Sequence, residues 1–273
     1  MIEYEIKPQE KLSLNLKELW DYKDLFYFFT WRDIKVKYKQ TVFGFLWAIL
    51  QPFIMMVIFS VFLGKYLKDP NDRTPYPIFV YSGLLLWNIF SSGLSSAGNS
   101  MVTNANIIKK IYFPRLIIPI SSVLVAFYDF LMATVVFVVL LIYYGHSIDF
   151  LKALVFMPLG ILLTCITTFG LGTLLAALNI KYRDFRYIIP FLIQAMLFLT
   201  PVIYPVSLLS HNWMKYIIAI NPMYAGIELF RCSIIPNPLD FKLIGISIIS
   251  AFFFLVVGLY YFRKTEAYFA DIA

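Results

Sequence analysis

The chain has 273 residues, of which 60% are hydrophobic and only 14% are charged, and its mean hydropathy is +0.76. A water-soluble domain does not expose that much apolar area, so the composition predicts a polytopic membrane protein. The net charge of +7 does not indicate nucleic-acid binding, because the cations cluster beside apolar runs, as orientation in a bilayer requires.

Residues 1–39 are mostly polar and contain no apolar stretch of the kind found in a signal peptide, so we expect no cleaved leader before the first span. Within this segment, residues 8–30 repeat leucine and phenylalanine at helical spacing. They predict an amphipathic helix lying along the membrane surface. A small helix packed on another cytoplasmic part is the alternative. The cations that follow are expected to stay in water; they are Arg32, Lys35, Lys37 and Lys39.

Six apolar runs predict an all-α membrane domain over residues 40–262. About 20 residues of helix cross a hydrocarbon layer of roughly 30 Å. The predicted spans are residues 42–64, 76–101, 116–144, 153–180, 187–204 and 243–262. Most of the 23 Lys and Arg residues fall in alternate connections, which predicts that both termini, including the tail 263–273, are cytoplasmic. Prolines interrupt residues 205–240, which predict one or two re-entrant or surface helices.

Several chemical motifs are missing from the sequence. It contains no phosphate-binding P-loop, so this chain is not expected to bind or hydrolyse ATP. His146 and His211 have no second ligand at helical spacing, so no metal site is predicted, and Cys165 and Cys232 are expected to be inert thiols. Asp129 is an acid in the middle of the third run. It is either hydrogen-bonded to a neighbouring helix or a polar point on a transport path.

Four segments resemble the membrane subunit of type 2 ABC exporters, in particular the O-antigen polysaccharide permeases of the Wzm type. They read RDIKVKYKQTVFGFLWAILQP, NIIKKIYFPRLIIPIS, NIKYRDFRYIIP and INPMYAGIELFR. They occur in the family's order and spacing, and the six-span layout covers nearly the whole chain. Permeases for teichoic-acid and capsule export are close relatives of this family.

The resemblance implies a permease that exports lipid-linked O-antigen polysaccharide across the bacterial inner membrane, through a channel at a homodimer interface. Two copies of a separate P-loop ATPase subunit would bind ATP and Mg²⁺, and this chain would hold no cofactor and contact only cargo, lipid and its partners. Export of teichoic acid, capsule or a small molecule is the alternative within the class. A membrane-embedded glycosyltransferase or acyltransferase is the alternative from another class, and it would need a cluster of acids or histidines at one membrane face.

The second connection is the predicted site of contact with the ATPase. A chain without a nucleotide site must receive mechanical work through a cytoplasmic protrusion, and Ile107, Ile108 and Ile111 are expected to fill an apolar cleft of the partner. A basic loop that only fixes topology is the alternative. The predicted coupling residues are Asn104, Ile107, Ile108, Lys109, Lys110, Ile111, Tyr112, Phe113 and Arg115, with a second, smaller contact at Arg183 and Asp184.

Aromatic side chains make up 19% of the chain and are predicted to line the path, because their faces stack on sugar rings without fixing one register. The candidates are Trp47, Phe53, Phe59, Trp87, Phe90, Phe198 and Tyr204. One six-helix chain leaves no sugar-sized hole, so two copies are expected to face each other. Short gate helices are implied before the last span, with Pro222 among their residues. Glu228 and Arg231 are expected to pair there, either holding the gate or as a surface pair without that role.

Overall fold

The computed structural model describes residues 16–39, 43–67, 74–209, 211–235 and 238–266, and all regular elements within these ranges are helices. The helices are α1 (Leu16–Asp21), α2 (Lys23–Tyr38), α3 (Leu46–Phe62), α4 (Gly64–Leu67), α5 (Tyr76–Thr103), α6 (Ala105–Ile108), α7 (Ile117–Tyr143), α8 (Phe150–Lys181), α9 (Phe185–Leu199), α10 (Asn212–Ile220), α11 (Met223–Arg231) and α12 (Phe241–Glu266), with a 3-10 turn at Val206–Leu208.

The long helices coincide with the predicted spans. By length and composition, α5, α7, α8 and α12 are able to cross a membrane. The helices α3 and α9 are apolar but have only 17 and 15 residues, and each contains a proline, Pro52 and Pro190. The predicted all-α, polytopic fold is therefore confirmed. The predicted fifth span is too long, because α9 ends at Leu199 and Thr200, which precedes Pro201, is extended.

The helix α5 lies at the centre of the bundle and packs against α7 and α8, with α3 and α9 along its sides. Small residues permit this approach: a Cβ added to Gly93 would lie 2.6 Å from Cγ2 of Thr168 on α8. The same helix α8 meets α12 at Gly170 and Gly258, where a side chain on Gly258 would overlap the Gly170 carbonyl oxygen. The three helices α5, α8 and α12 thus form a closely packed block.

One end of the bundle collects the basic connections, and we call it the basic end. Its apolar cluster includes Leu19 of α1, Phe29 of α2, Ile108 of α6, Ile180 of α8 and Phe262 of α12. Since α1 and the final helix α12 contribute to one cluster, the first and the last described helices meet at the same end of the bundle.

The predicted amphipathic helix over residues 8–30 corresponds, from residue 16 onward, to α1 and α2, and its residues 8–15 lie outside the described residues. The helix α2 continues past the predicted end at residue 30. It extends to Tyr38, and its last turn reaches Asp129, near the middle of the 27-residue helix α7. The Lys37 ammonium and the Tyr38 hydroxyl both bind the Asp129 carboxylate. The Arg32 guanidinium donates to Oδ1 of Asn104 at 2.8 Å. Arg32 is half-buried by its contact with Asn104, whereas the Lys37 side chain remains 42% exposed while it binds Asp129, and Asp129 is hydrogen-bonded to a neighbouring helix.

The helices α10 and α11 form a hairpin in the segment predicted to hold one or two short helices. Its tip is held by buried polar side chains: Nδ2 of Asn221 donates to Oγ1 of Thr200 at 2.7 Å, and Oγ1 of Thr167 donates to the Pro222 carbonyl at 3.3 Å. Oγ of Ser247 donates to the Asn221 carbonyl at 2.8 Å. The bonds from Thr167 and Ser247 satisfy backbone carbonyls between the two helices of the hairpin, away from water.

Arg231, at the end of α11, is 2% exposed and joins three segments of the chain. Its Nη1 donates to the Pro201 carbonyl at 2.6 Å, and its Nη2 donates to the carbonyls of Val202 at 2.7 Å and Phe79 at 3.0 Å. The guanidinium also lies 3.8 Å from the centroid of the Phe79 ring. A planar fork of donors is the group best suited to several carbonyls at once.

The expected pairing of Glu228 with Arg231 is wrong as a direct contact, because the described structure contains no ion pair between them. The guanidinium is turned toward backbone carbonyls instead. Gly83 makes room for it, since a Cβ at that position would lie 2.9 Å from the Val202 carbonyl oxygen and would overlap Nη2 of Arg231. Arg231 therefore attaches the C-terminal end of the hairpin to the bundle through backbone carbonyls and not through a carboxylate.

Replacing Arg231 with Gln should destabilise the folded chain, because carbonyls of Phe79, Pro201 and Val202 lose their charged donor. Each buried carbonyl left unpaired costs about 1–3 kcal/mol. We expect a lower melting temperature of the detergent-solubilised protein, measured by size-exclusion chromatography after heating. The matched control is Lys242→Gln in the exposed first turn of α12. Equal melting temperatures for R231Q and K242Q would contradict this role of Arg231.

Candidate functional site

The connection between α5 and α7 forms a compact projection at the basic end. It contains the short helix α6, only four residues long, and the chain then turns through Lys109 and Lys110 before α7 begins at Ile117. Asn104 fixes the start of the projection: its Nδ2 donates to the Ser100 carbonyl at 2.8 Å, and its Oδ1 accepts from Arg32. The loop is therefore attached both to α5 and to α2.

The side chains of this loop divide between an inner and an outer face. Ile108 and Phe113 are 6% and 3% exposed, and the Phe113 ring lies 5.5 Å from that of Phe29 on α2. Ile111 and Tyr112 are 61% and 68% exposed. Ile107 is half-buried against the inner cluster. The expectation that Ile108 fills a cleft of another protein is therefore wrong, since its own chain covers it.

The exposed part of the loop combines Ile111 and Tyr112 with the ammonium groups of Lys109 and Lys110, and together they border a shallow, open pocket that reaches Arg115. We call these four residues the coupling tip. Partial burial and the nearby carboxylates of Glu18 and Glu266 raise the pKa of the Tyr112 phenol, so it stays a neutral hydrogen-bonding group. Such a surface suits a partner that offers an apolar cleft bordered by acids.

The loop is tied to the last helix as well. The Arg115 guanidinium donates to the Glu266 carbonyl, and the Arg115 backbone N–H donates to Oε1 of Glu266 at 3.4 Å. Glu266 also pairs with Arg263 at 2.6 Å, and both of these side chains are largely buried. The loop is therefore attached to the end of α12 as well as to α7.

The predicted second contact lies between α8 and α9 at the same end of the bundle. Arg183 and Asp184 are both exposed. Asp184 occupies the position before α9, but its carboxylate does not cap the helix. Both side chains are therefore accessible to a protein that approaches the basic end.

The aromatic candidates separate into exposed and buried groups. Trp47 and Phe53 on α3 are 49% and 38% exposed, and Phe198 on α9 is 65% exposed. Phe59 and Tyr204 are half-buried. The prediction that Trp87 and Phe90 line the path is wrong in this conformation. These two side chains of α5 lie inside the apolar core and are 6% and 0% exposed.

Two exposed amides in the middle of apolar helices escaped the sequence prediction. Gln51 lies on α3 and Gln194 on α9, and both side chains are exposed. The large exposed side chains in the interior of α7 are, by contrast, apolar; they are Leu124, Leu131, Val135, Val138, Val139 and Ile142. The sequence did contain a signal for the two amides, because each is a polar residue within an otherwise apolar run. In the described ranges, no group of three or more His, Cys, Asp or Glu side chains is arranged to hold a metal ion.

Comparison with known proteins adds independent information. The ABC-2 type transporter family matches residues 24–235. A Klebsiella pneumoniae protein named O-antigen export system permease protein RfbA is 33% identical over 96% of this chain and 98% of its own length. A Myxococcus xanthus protein of the same name is 28% identical over 76% of this chain and 79% of its own length.

An Escherichia coli polysialic acid transport protein, KpsM, is 23% identical over 76% of this chain and 79% of its own length. The family match covers α2 to the end of α11, and therefore includes the coupling tip, the exposed faces of α3 and α9, and the hairpin. On the extent of this match, the chain belongs to the ABC-2 type transporter family and is a membrane-spanning transport component.

Proposed function

We propose that this chain is the permease subunit of an ATP-driven exporter that moves lipid-linked O-antigen polysaccharide outward across the cytoplasmic membrane. The observation that carries the proposal is the 33% identity to an O-antigen export permease over 98% of that protein's length. The geometry is consistent with this role, since the described bundle presents a projection at its basic end and amide groups on the exposed faces of α3 and α9. The excess of Lys and Arg supports a cytoplasmic location for the basic end and for both termini.

The coupling tip is the proposed contact with an ATPase subunit, which binds and hydrolyses ATP with Mg²⁺. Ile111 and Tyr112 supply apolar area, and Lys109 and Lys110 favour a partner with acidic residues around its cleft. Two permease copies would bind two ATPase copies. Because the loop is bonded to α12 through Arg115 and continues directly into α7, closure of the ATPase would move both helices.

The proposed export path lies between two copies of the chain, along α3 and α9. These helices are the least buried of the six apolar helices: Pro52 and Met56 are the buried residues of α3, and Ile189 is that of α9. An amide exposed to hydrocarbon is unfavourable, so Gln51 and Gln194 are expected to face the partner copy or the cargo. Trp47, Phe53 and Phe198 then contribute aromatic faces for sugar rings.

The hairpin α10–α11, with Pro222, Glu228 and Arg231, is the proposed outer gate region. Bonds from α8 and α12 hold its tip and Arg231 holds its exit, so the hairpin is firmly attached to the central block. Opening would therefore come from the sparsely packed helices α3 and α9, which would separate from the hairpin on nucleotide binding.

A second candidate cargo is capsular polysaccharide. The similarity to the polysialic acid transport protein favours it, although at 23% identity and with less of the chain covered. Transport assays with each polysaccharide distinguish the two cargoes.

The first test is reconstitution of this chain and a partner ATPase in vesicles that contain lipid-linked O-antigen. We expect ATP-dependent movement of the polysaccharide across the membrane, detected by an impermeant lectin. Vesicles with the permease alone should show none. Export by the permease alone on addition of ATP, or modification of the lipid-linked sugar without a partner, would contradict the proposal.

Replacing Ile111 with Glu should weaken the permease–ATPase complex, because it puts a carboxylate in a contact that is meant to bury apolar area. We expect about a tenfold loss of affinity, equivalent to about 1.4 kcal/mol, in pull-down titrations with the purified ATPase. Lys264→Gln, an exposed change at the same end of the bundle, is the control. Unchanged affinity for I111E would remove the coupling tip from the interface.

Replacing Gln194 with Trp should block export, because the bulky ring occupies the face that meets the partner copy or the cargo. The same substitution at Val138, which is 48% exposed on α7, should be tolerated because that face contacts lipid. Export by reconstituted vesicles and the mass of the complex by native mass spectrometry measure the two effects. Equal export by Q194W and V138W would place the path elsewhere.

A further inference from the structure

Asp129 is a carboxylate in the middle of an apolar helix, and its side chain is only 10% exposed. It binds the Lys37 ammonium and the Tyr38 hydroxyl, both from the last turn of α2. The Tyr38 ring also lies 6.5 Å from that of Tyr128. Burying an ionised carboxylate in a membrane helix costs free energy, and the ion pair offsets only part of that cost. An apolar residue would pack here without it, so we expect a role of the pair other than packing.

The position of this ion pair in the chain indicates that role. The helix α7 begins directly after residues 104–116, which carry the coupling tip and which we call the coupling loop. The helix α2 precedes α3 by a few residues in the sequence. Contacts at Phe29 and Arg32 attach α2 to the coupling loop itself. Of these three contacts of α2, the one at Asp129 is nearest to α3 in the sequence, and it adds an ion pair to the direct packing of α3 against α7.

We propose that Asp129 is a positioning residue that makes the end of α2 move together with α7, so that displacement of the coupling loop reaches α3. The inference rests on the proposed function, because it assigns the coupling loop to an ATPase and α3 to the export path. A purely stabilising ion pair would fix the resting structure but would not affect how much transport accompanies each ATP hydrolysed.

The distinguishing measurement is the amount of polysaccharide exported per ATP hydrolysed, in vesicles containing the complete complex. D129N and K37M each remove one charge of the pair, and Y38F removes one hydrogen bond only. We expect D129N and K37M to retain ATP hydrolysis and to export at least about tenfold less per ATP, with a smaller loss for Y38F. The matched control, K39M, changes an exposed lysine two residues from Lys37.

Exchange of the two charges tests the pair directly. The double variant K37D/D129K restores an ion pair with opposite polarity, and we expect it to recover part of the export that either charge-removing variant loses. A complex that hydrolyses ATP and exports in the normal ratio in D129N and K37M overturns the proposal. So does a proportional loss of both activities in all variants, Y38F included.

A readout that is independent of cargo separates this inference from the proposed function. Cysteine placed at Val57, which is 40% exposed on α3, in a chain with Cys165 and Cys232 replaced by Ser, reports the surroundings of α3 through its rate of labelling by a thiol-reactive dye. We expect ATP to change that rate in the otherwise normal complex and not in D129N. If this holds while O-antigen is not exported, the proposed cargo is wrong and the inference stands. If ATP changes the rate equally in both, the inference fails whatever the cargo.

Discussion

The structure depends on one requirement: each backbone carbonyl that leaves a helix inside the bundle must find a donor. Where α9 stops at Leu199, the carbonyls of Pro201 and Val202 lose their helical partners, and the buried guanidinium of Arg231 replaces them. Pro201 and Val202 are both buried, so the break in α9 is stabilised by a side chain that comes from the end of α11. One arginine thereby joins the end of the hairpin to the segment that follows α9.

Much of the fold was predictable, because apolar runs of sufficient length have few alternatives in a bilayer. The six runs became helices at nearly the predicted bounds, and Pro201 explains why α9 ends early. The proline-rich segment was also predicted to hold short helices, and α10 and α11 confirm it. Periodicity and turn residues suffice for these features since each is decided locally along the chain.

The side-chain partners were much less predictable. Arg231 was expected to pair with Glu228, three residues away, but binds carbonyls more than 25 residues distant in the chain. Ile108 and Ile111 are indistinguishable in the sequence, yet one is buried and the other exposed, because Phe29 and Phe113 cover only the first. Such partners are set by the tertiary arrangement of distant helices, about which local spacing carries no information.

The contrast between the glycine-mediated block of α5, α8 and α12 and the sparsely packed helices α3 and α9 has an evolutionary consequence. Stability is concentrated where side chains are small and substitutions create overlap, as at Gly170 and Gly258. The faces around Gln51 and Gln194 contribute little to that core, so their residues are free to drift at small thermodynamic expense. A lineage of such proteins can therefore alter these two peripheral helices while inheriting the same scaffold.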